Sequence, residues 1–535
     1  MAAESLINQG LEKFLQGDYP EAIALFNQAL QLNPHAGDAY HQRGNAYLAL
    51  GEYDQAIADF QQALTLDKNI QFDLAKALHD RGLAQFERGN HPEAFTDFQA
   101  ALDYYPDFVA VYSNRGNILH ILGRYEEAIS DYNQAIKLNP NFAAAYHNRG
   151  NSYYAIGDYQ QAITNYNQAI KLNPNFAEAY YNRGLVLSHL QDYPEAIANF
   201  NQALKLNPDD VQAYCDRGLV RYTLGEYEAA IQDYNRVLQA NPTFAKAYNF
   251  RAQARQQLGD YQGAIADINI LLQLNPNLAD AYSDRASCRR QLGDYQGAIE
   301  DYHQALQINP NLAIAYYGRG IVREAMQNFS GAISDYTQAI EITPDFAPAY
   351  CDRANARRLL GDQQGAIKDY NQAIKLNPNL LEAYYNRGIT QYSLQNFLKA
   401  IEDYTQALQL NPDSARFYSD RANAYYALQN YPEAIEDYNQ AIALNPNVAE
   451  DWFNRGRSRS LLGNLKAALK DFNQALQLQP RWATAYLVRA DVQRLLGDSQ
   501  GAIADFRKAA DLYYQEGNMQ YYQQIIHLIS QLEKV

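Results

Sequence analysis

The chain has 535 residues and a formal net charge of −16 at pH 7, with a sequence pI near 5.0. That balance opposes the basic footprint a nucleic-acid partner requires, and it makes an anionic membrane surface a poor partner. No apolar run approaches the roughly 20 residues of a spanning helix, so no integral membrane segment is expected.

The opening, MAAESLINQG, lacks the basic and apolar segments of a secretory leader, so none is expected. Cys215, Cys288 and Cys351 are scattered through the chain. No disulfide framework follows from them, and a reduced, cytoplasmic compartment is the plain reading.

In chain order, a pattern of 34 residues starts at residues 3, 37, 75, 109, 143, 177, 211, 245, 279, 313, 347, 381, 415, 449 and 483. Residues 3–516 thus form one array of fifteen repeats, with a short insertion near 68–74, and 517–535 form a tail. An array of this kind predicts one elongated solenoid in which function comes from surface and not from a separate catalytic domain.

Each repeat reads as two helices. In 143–176 these are predicted at Ala143–Ile156 and Gln160–Leu172. Gly157 suits a left-handed helix end, Asp158 suits the start of the next helix, and Pro174 closes it. Gln191, Gln327, Gln395 and Gln429 replace that glycine, so those turns are expected to lean on the Asp or Asn that follows. The eighth place is always Gly or Ala and the twentieth always Ala, as at Gly150 and Ala162. Tyr146, Tyr159, Ile163 and Tyr166 supply the larger side chains between these close-approach points. The insertion around Asn69–Asp73 is expected to be a longer inter-repeat turn. In the tail, Tyr522, Ile525, Ile526, Ile529 and Leu532 fall at helical spacing, which predicts a C-terminal capping helix over the last repeat. A partner-binding amphipathic helix is its alternative.

The landmarks Tyr146, Gly150, Tyr153, Ala162, Tyr166, Ala169 and Pro174 resemble those of the tetratricopeptide repeat (TPR) family over nearly the whole chain. The resemblance implies an all-α, right-handed superhelical α-solenoid of helix-turn-helix repeats, with the first helix of each repeat lining an inner groove. One departure stands out: Arg149 occupies a place where the family usually has Leu. The copies are also similar to TPR proteins of photosynthetic bacteria and chloroplasts, which hints at the assembly of larger complexes.

That arginine recurs in fourteen repeats. Sixteen residues later each of the fourteen carries Asp, or Asn at Asn165 and Asn199. The first repeat lacks both partners, with Gln9 and Leu25. Presence and absence together predict an inter-helix ladder, within a repeat or across to the next, with Arg149, Arg285, Asp301 and Asp335 among its rungs.

The place before the arginine holds amides at Asn8, Asn114, Asn148, Asn182, Asn386 and Asn454, and acids at Asp80, Asp216, Asp284, Asp352 and Asp420. In the TPR array of O-GlcNAc transferases an asparagine ladder at this place faces inward and clasps extended peptide. The resemblance therefore implies peptide-binding roles for Asn114, Asn148, Asn182, Asn386 and Asn454, although no transferase domain is present. The residues themselves equally allow a role satisfying neighbouring helices.

Arg221, Arg255, Arg289, Arg323 and Arg357 sit four residues after ladder arginines, as Arg459 does later. Two readings stand for them: a network shared with the Asp ladder, or contacts to an acidic ligand in the groove. Tyr154, Tyr181, Tyr317, Tyr385, Tyr392, Tyr426 and Phe453 fall at presumed inward places, where aromatics beside amides suit a binding surface. His41, His79 and His147 share one place but come from different repeats, so no metal or other cofactor is expected. The expected function is a non-enzymatic scaffold that binds proteins or extended peptides. The alternative is a structural, self-assembling homo-oligomer, which light scattering over a concentration series would distinguish.

Overall fold

A computed structural model describes residues 1–66 and 68–533 of the chain. The fold is an all-α solenoid of 31 helices in tandem pairs, 81% helical, and no strand occurs among the described residues. The chain divides into two compact units, Met1–Asp260 and Tyr261–Val535.

In the first unit the reference repeat forms helices Ala143–Ala155 and Tyr159–Leu172. Gly157 takes φ +81°, the left-handed region open to glycine. The Asp158 carboxylate then accepts the Gln161 N–H at 3.1 Å and starts the second helix. Ala162, Tyr166 and Ala169 are buried with Val186 of the next repeat. A Cβ added at Gly150 would lie 2.7 Å from Tyr166 Cε1, so the aromatic ring rests on the backbone of the first helix. Gly388 and Tyr404 repeat this contact in the second unit, also at 2.7 Å. Each such ring adds about 1.5–3 kcal/mol of burial to the stack.

The glutamine turns depart from expectation. Gln191, Gln327, Gln395 and Gln429 adopt φ of 62°, 61°, 61° and 59°, keeping the glycine conformation. Only Asn328 of the four following residues caps the next helix, accepting the Gly331 N–H at 3.0 Å. Packing of the two flanking helices therefore imposes the turn, and side-chain capping is secondary.

The insertion also differs from a simple longer turn. A 3-10 turn, Lys68–Ile70, leads into the 17-residue helix Gln71–Glu87. Ile70, Leu74, Ala77 and Leu78 are buried along it. Their helical spacing converts most of the extra residues into an additional helical turn. Within the first unit, helices Val109–Ile121, Ala143–Ala155, Ala177–His189 and Val211–Thr223 touch in succession. These contacts between first helices put them on the inner side of the stack.

In the second unit, helix Met519–Leu532 packs against helix Ser499–Gln515 of the fifteenth repeat. Ile525 and Ile529 are buried against Phe506, Ala509 and Tyr513, while Ile526 and Leu528 face outward.

Candidate functional site: the first-helix face and its polar ladders

The ladder arginines project from mid-helix, and thirteen of the fourteen lie one turn after a Tyr or Trp that shares their face, Arg81 following Leu78 instead. In the first unit, Arg115 makes a bidentate pair with Asp131, Nε to Oδ2 at 2.7 Å and Nη2 to Oδ1 at 2.6 Å. Its Nη1 donates to Gln99 of the preceding repeat at 2.6 Å, and its guanidinium lies 5.6 Å from the Tyr112 ring centre. In the second unit Arg285 pairs with Asp301 at 2.8 and 2.5 Å, reaches Asn269 at 2.6 Å, and stacks on Tyr282 at 5.3 Å. Arg319 and Asp335 pair at 2.7 Å. One guanidinium thus joins its own second helix to the second helix before it; of the two Arg–Asp pairings left open by the sequence, these rungs form the one within a repeat. Asp301 and Asp335 are buried, and the bidentate fork replaces their lost hydration.

Arg149 meets an amide instead, with Nε to Asn165 at 2.7 Å and Nη1 to Asn133 at 2.5 Å. Burial lowers the Arg149 pKa there, whereas the hydrogen bonds that Arg43 donates to Asp59 hold its own pKa above the ordinary value. The amides in the preceding helix were legible but missed. Asn133, Asn167, Asn201 and Asn269 recur in a repeated Asn-x-x motif of the second helix that received no role.

Arg221, Arg289, Arg323 and Arg357 join the same carboxylates. Arg221 Nη1 lies 2.9 Å from Asp233 in the first unit, where Arg255 Nε is 3.6 Å from Asp260. In the second unit Arg289, Arg323 and Arg357 reach Asp301, Asp335 and Asp369 at 3.0, 2.7 and 2.7 Å. Asp233, Asp301, Asp335 and Asp369 each sit between two arginines, which answers the repulsion of like charges four residues apart.

The place before the ladder arginine links neighbouring repeats. Asn114 Nδ2 is 2.9 Å from His79 Nε2, and Asn182 Nδ2 is 2.8 Å from His147 Nε2. Asn148 donates to Asn117 at 2.9 Å, and Asn454 to Asn423 at 3.4 Å. Asn386 is half-buried, and its backbone carbonyl accepts the Thr390 hydroxyl at 2.7 Å. At three of the five acidic places a tyrosine of the previous repeat donates to the carboxylate. Tyr181 reaches Asp216 at 2.8 Å, Tyr317 reaches Asp352 at 2.8 Å and Tyr385 reaches Asp420 at 2.7 Å. Burial pushes Asp352 and Asp420 above the usual carboxylate range. Burial, with Asp280 nearby, raises Asp284 to about 6. Sequence reasoning missed the amides three places further on, Asn117, Asn151, Asn355 and Asn423, although they recur at one repeat place.

His41 bonds Asp73 at 2.9 Å, so it and its counterparts His79 and His147 serve as polar links. Among the described residues no group of three or more His, Cys, Asp or Glu could hold a metal. Nor is any helix among them long and apolar enough to cross a membrane. The three cysteines are buried, and burial pushes Cys215 to about 11 and Cys351 to about 12.

Fold and ladders define the class as a repeat scaffold of helical hairpins, the architecture of protein-interaction proteins. Family models described as TPR repeat match residues 10–51, 116–157, 150–191 and 354–395. Models described as tetratricopeptide repeat match 37–70, 76–107, 98–130, 177–210, 211–244, 256–316, 385–449, 422–493 and 483–516. The chain belongs to the tetratricopeptide repeat family.

No curated protein matches the chain. Among solved structures it is similar to YrrB, a TPR protein with an unusual peptide-binding site, at 22% identity over 34% of this chain and 95% of that one, TM-score 0.32. Yeast Tom70 is 17% identical over 80% and 96%, TM-score 0.31. Cut9, solved with Hcn1 as an anaphase-promoting complex hetero-tetramer, is 17% identical over 98% and 96%, TM-score 0.33.

Proposed function

We propose that the chain is a non-enzymatic, cytoplasmic scaffold that takes up proteins or extended peptides on its first-helix face, in the assembly of larger complexes. One observation carries this reading. The second helices spend their aromatic side chains on the core, as Tyr166 and Tyr404 do, while the first helices turn amides, acids and tyrosines to the inner side. Tyr392, 37% exposed, offers apolar area with a hydroxyl handle among those polar groups. For the later arginines the geometry supports the structural role, because the Nη1 groups of Arg221, Arg289, Arg323 and Arg357 are spent on ladder acids.

Affinity purification with mass spectrometry tests the reading. Partners held by the intact chain should be lost from the Tyr392→Ala/Tyr426→Ala variant. They should be retained by Lys137→Glu/Lys171→Glu, which alters exposed second-helix residues. Partners indifferent to the first pair and lost with the second would place binding on the other face and overturn it.

A further inference from the structure

A cavity of about 270 Å³ opens on the first-helix face of the first unit, with Phe86 and Ile121 as apolar walls and Asn117, His120, Tyr132 and Asn151 supplying polar edges. Its amides are held in one orientation. Asn117 Oδ1 accepts both the Tyr132 hydroxyl at 2.8 Å and Asn148 Nδ2 at 2.9 Å. Asn151 Oδ1 accepts the Tyr166 hydroxyl at 2.8 Å and Asn182 Nδ2 at 3.0 Å. With both oxygens doubly engaged, each amide must present its NH2 as the free end, and no hydrogen bond among the described residues uses either Nδ2. Two donors one repeat apart are thereby fixed before any ligand arrives, so little ordering entropy remains to oppose binding.

His120 adds an acceptor. The Ser152 hydroxyl donates to the Asn148 carbonyl at 3.3 Å, which leaves its oxygen to accept from His120 Nδ1 at 3.0 Å. The second ring nitrogen, Nε2, then carries a lone pair. Burial lowers the His120 pKa and keeps the ring neutral at physiological pH. No Lys, Arg, Asp or Glu lines the cavity, so nothing there compensates a charged ligand. A carboxylate or phosphate would lose hydration without a counter-charge. Two donors, one acceptor and an apolar wall match backbone carbonyls and an N–H of an extended chain.

We propose that this cavity binds the backbone of an extended, uncharged peptide segment, with carbonyls on Asn117 and Asn151 Nδ2, an N–H on His120 Nε2, and an apolar side chain against Phe86 and Ile121. The inference rests on the scaffold reading above and locates one binding site within it. In this site Asn148 and Asn182 act as positioning residues, because their hydrogens orient the amides that face the ligand. The second unit lacks the arrangement: Asn355 and Asn423 accept Tyr370 and Tyr438 at 2.6 Å each, but Ile389 stands at the repeat place between them.

Peptides selected from a random displayed dodecapeptide library on the full chain, then synthesised, provide the probe. Asn117→Asp and Asn151→Asp keep an oxygen for the tyrosine and the neighbouring amide but remove the NH2. Each should weaken binding about tenfold by fluorescence anisotropy, about 1.4 kcal/mol, with the double variant weaker still and Asn355→Asp unchanged. Substituting esters for backbone amides in the selected peptide, against unaltered protein, should weaken binding in the same way and guards against misfolded variants. Selected peptides that bind the double variant and the ester analogues as tightly as the originals would overturn the site. If those peptides instead depend on Tyr392 and Tyr426, the scaffold reading survives while the site falls. A library that yields no binder also overturns the site; purification with the face variants judges the scaffold separately.

Discussion

Arg285 is held on three sides: the Asp301 fork, the Asn269 amide oxygen and the Tyr282 ring. Its side chain is 16% exposed and that of Asp301 4%, so the pair sits where an uncompensated charge is expensive. Arg285→Leu should therefore cost about 3–5 kcal/mol, chiefly because the buried Asp301 carboxylate loses its bidentate partner and keeps only the single contact from Arg289. Replacing both residues by apolar side chains should cost clearly less, since no buried carboxylate is then left behind and Arg289 keeps Asp294 and the Gly297 carbonyl. Denaturant melts of the intact chain read the cost. Hydrogen exchange in Ala279–Gln291 and Tyr295–Ile308 localises it, because long repeat arrays need not melt in two states. A double variant equal to the sum of the singles would remove the energetic basis of the ladder. The pairing was legible at this scale because Gln9 and Leu25 drop out together. The third contact, into the preceding helix, was missed: its acceptors recur as second-helix amides but lie in the repeat before, and a spacing rule within one repeat does not reach them.

Each hairpin is shaped at its turn. Twelve described turns carry glycine at positive φ, and four carry glutamine in the same region. For an L-residue that conformation costs about 1–2 kcal/mol, offset in part by the lower chain entropy of glutamine when unfolded. Gln191→Gly, Gln327→Gly, Gln395→Gly and Gln429→Gly should each stabilise the chain by about 1 kcal/mol, and all four together should raise the melting temperature. A fall on thermal melting would mean that the glutamine side chains contribute contacts of their own. Element boundaries followed the caps closely, with Tyr159 gained and Ile156 lost against the predicted helices. The insertion misled because four added residues look like a loop until Ile70 and Leu74 find an apolar neighbour cluster.

Across a whole unit the repeats are nearly interchangeable, and that has a consequence for deletion. Arg217 donates to Asn201 at 2.6 Å, and Arg183 to Asn167 at 2.6 Å. Removing residues 177–210 would bring Asn167 to Arg217 in place of Asn201, an identical acceptor in an identical helix place. Each repeat contacts mainly its neighbours, so the array should reclose. The shortened chain should keep its helical signal per residue in circular dichroism and melt cooperatively. Removing only helix Tyr193–Leu206 should expose Val220 and its neighbours and lower both. Equal losses from the two deletions would show that the repeats are not modular.

Taken alone, the amino-acid order determined the hairpin, its period, its turns and the Arg–Asp rungs. All of these rest on short-range rules of helix spacing, capping and charge pairing that operate within about one repeat. Tertiary structure alone decided which polar groups remain free. Asn148 and Asn117 are both first-helix amides in sequence, yet one donates its hydrogen to the other, so the donor left for a ligand belongs to Asn117. Hydrogen-bond capacity is finite and is divided between neighbours 31 to 35 residues apart, so the residues available for binding emerge only once the repeats have stacked.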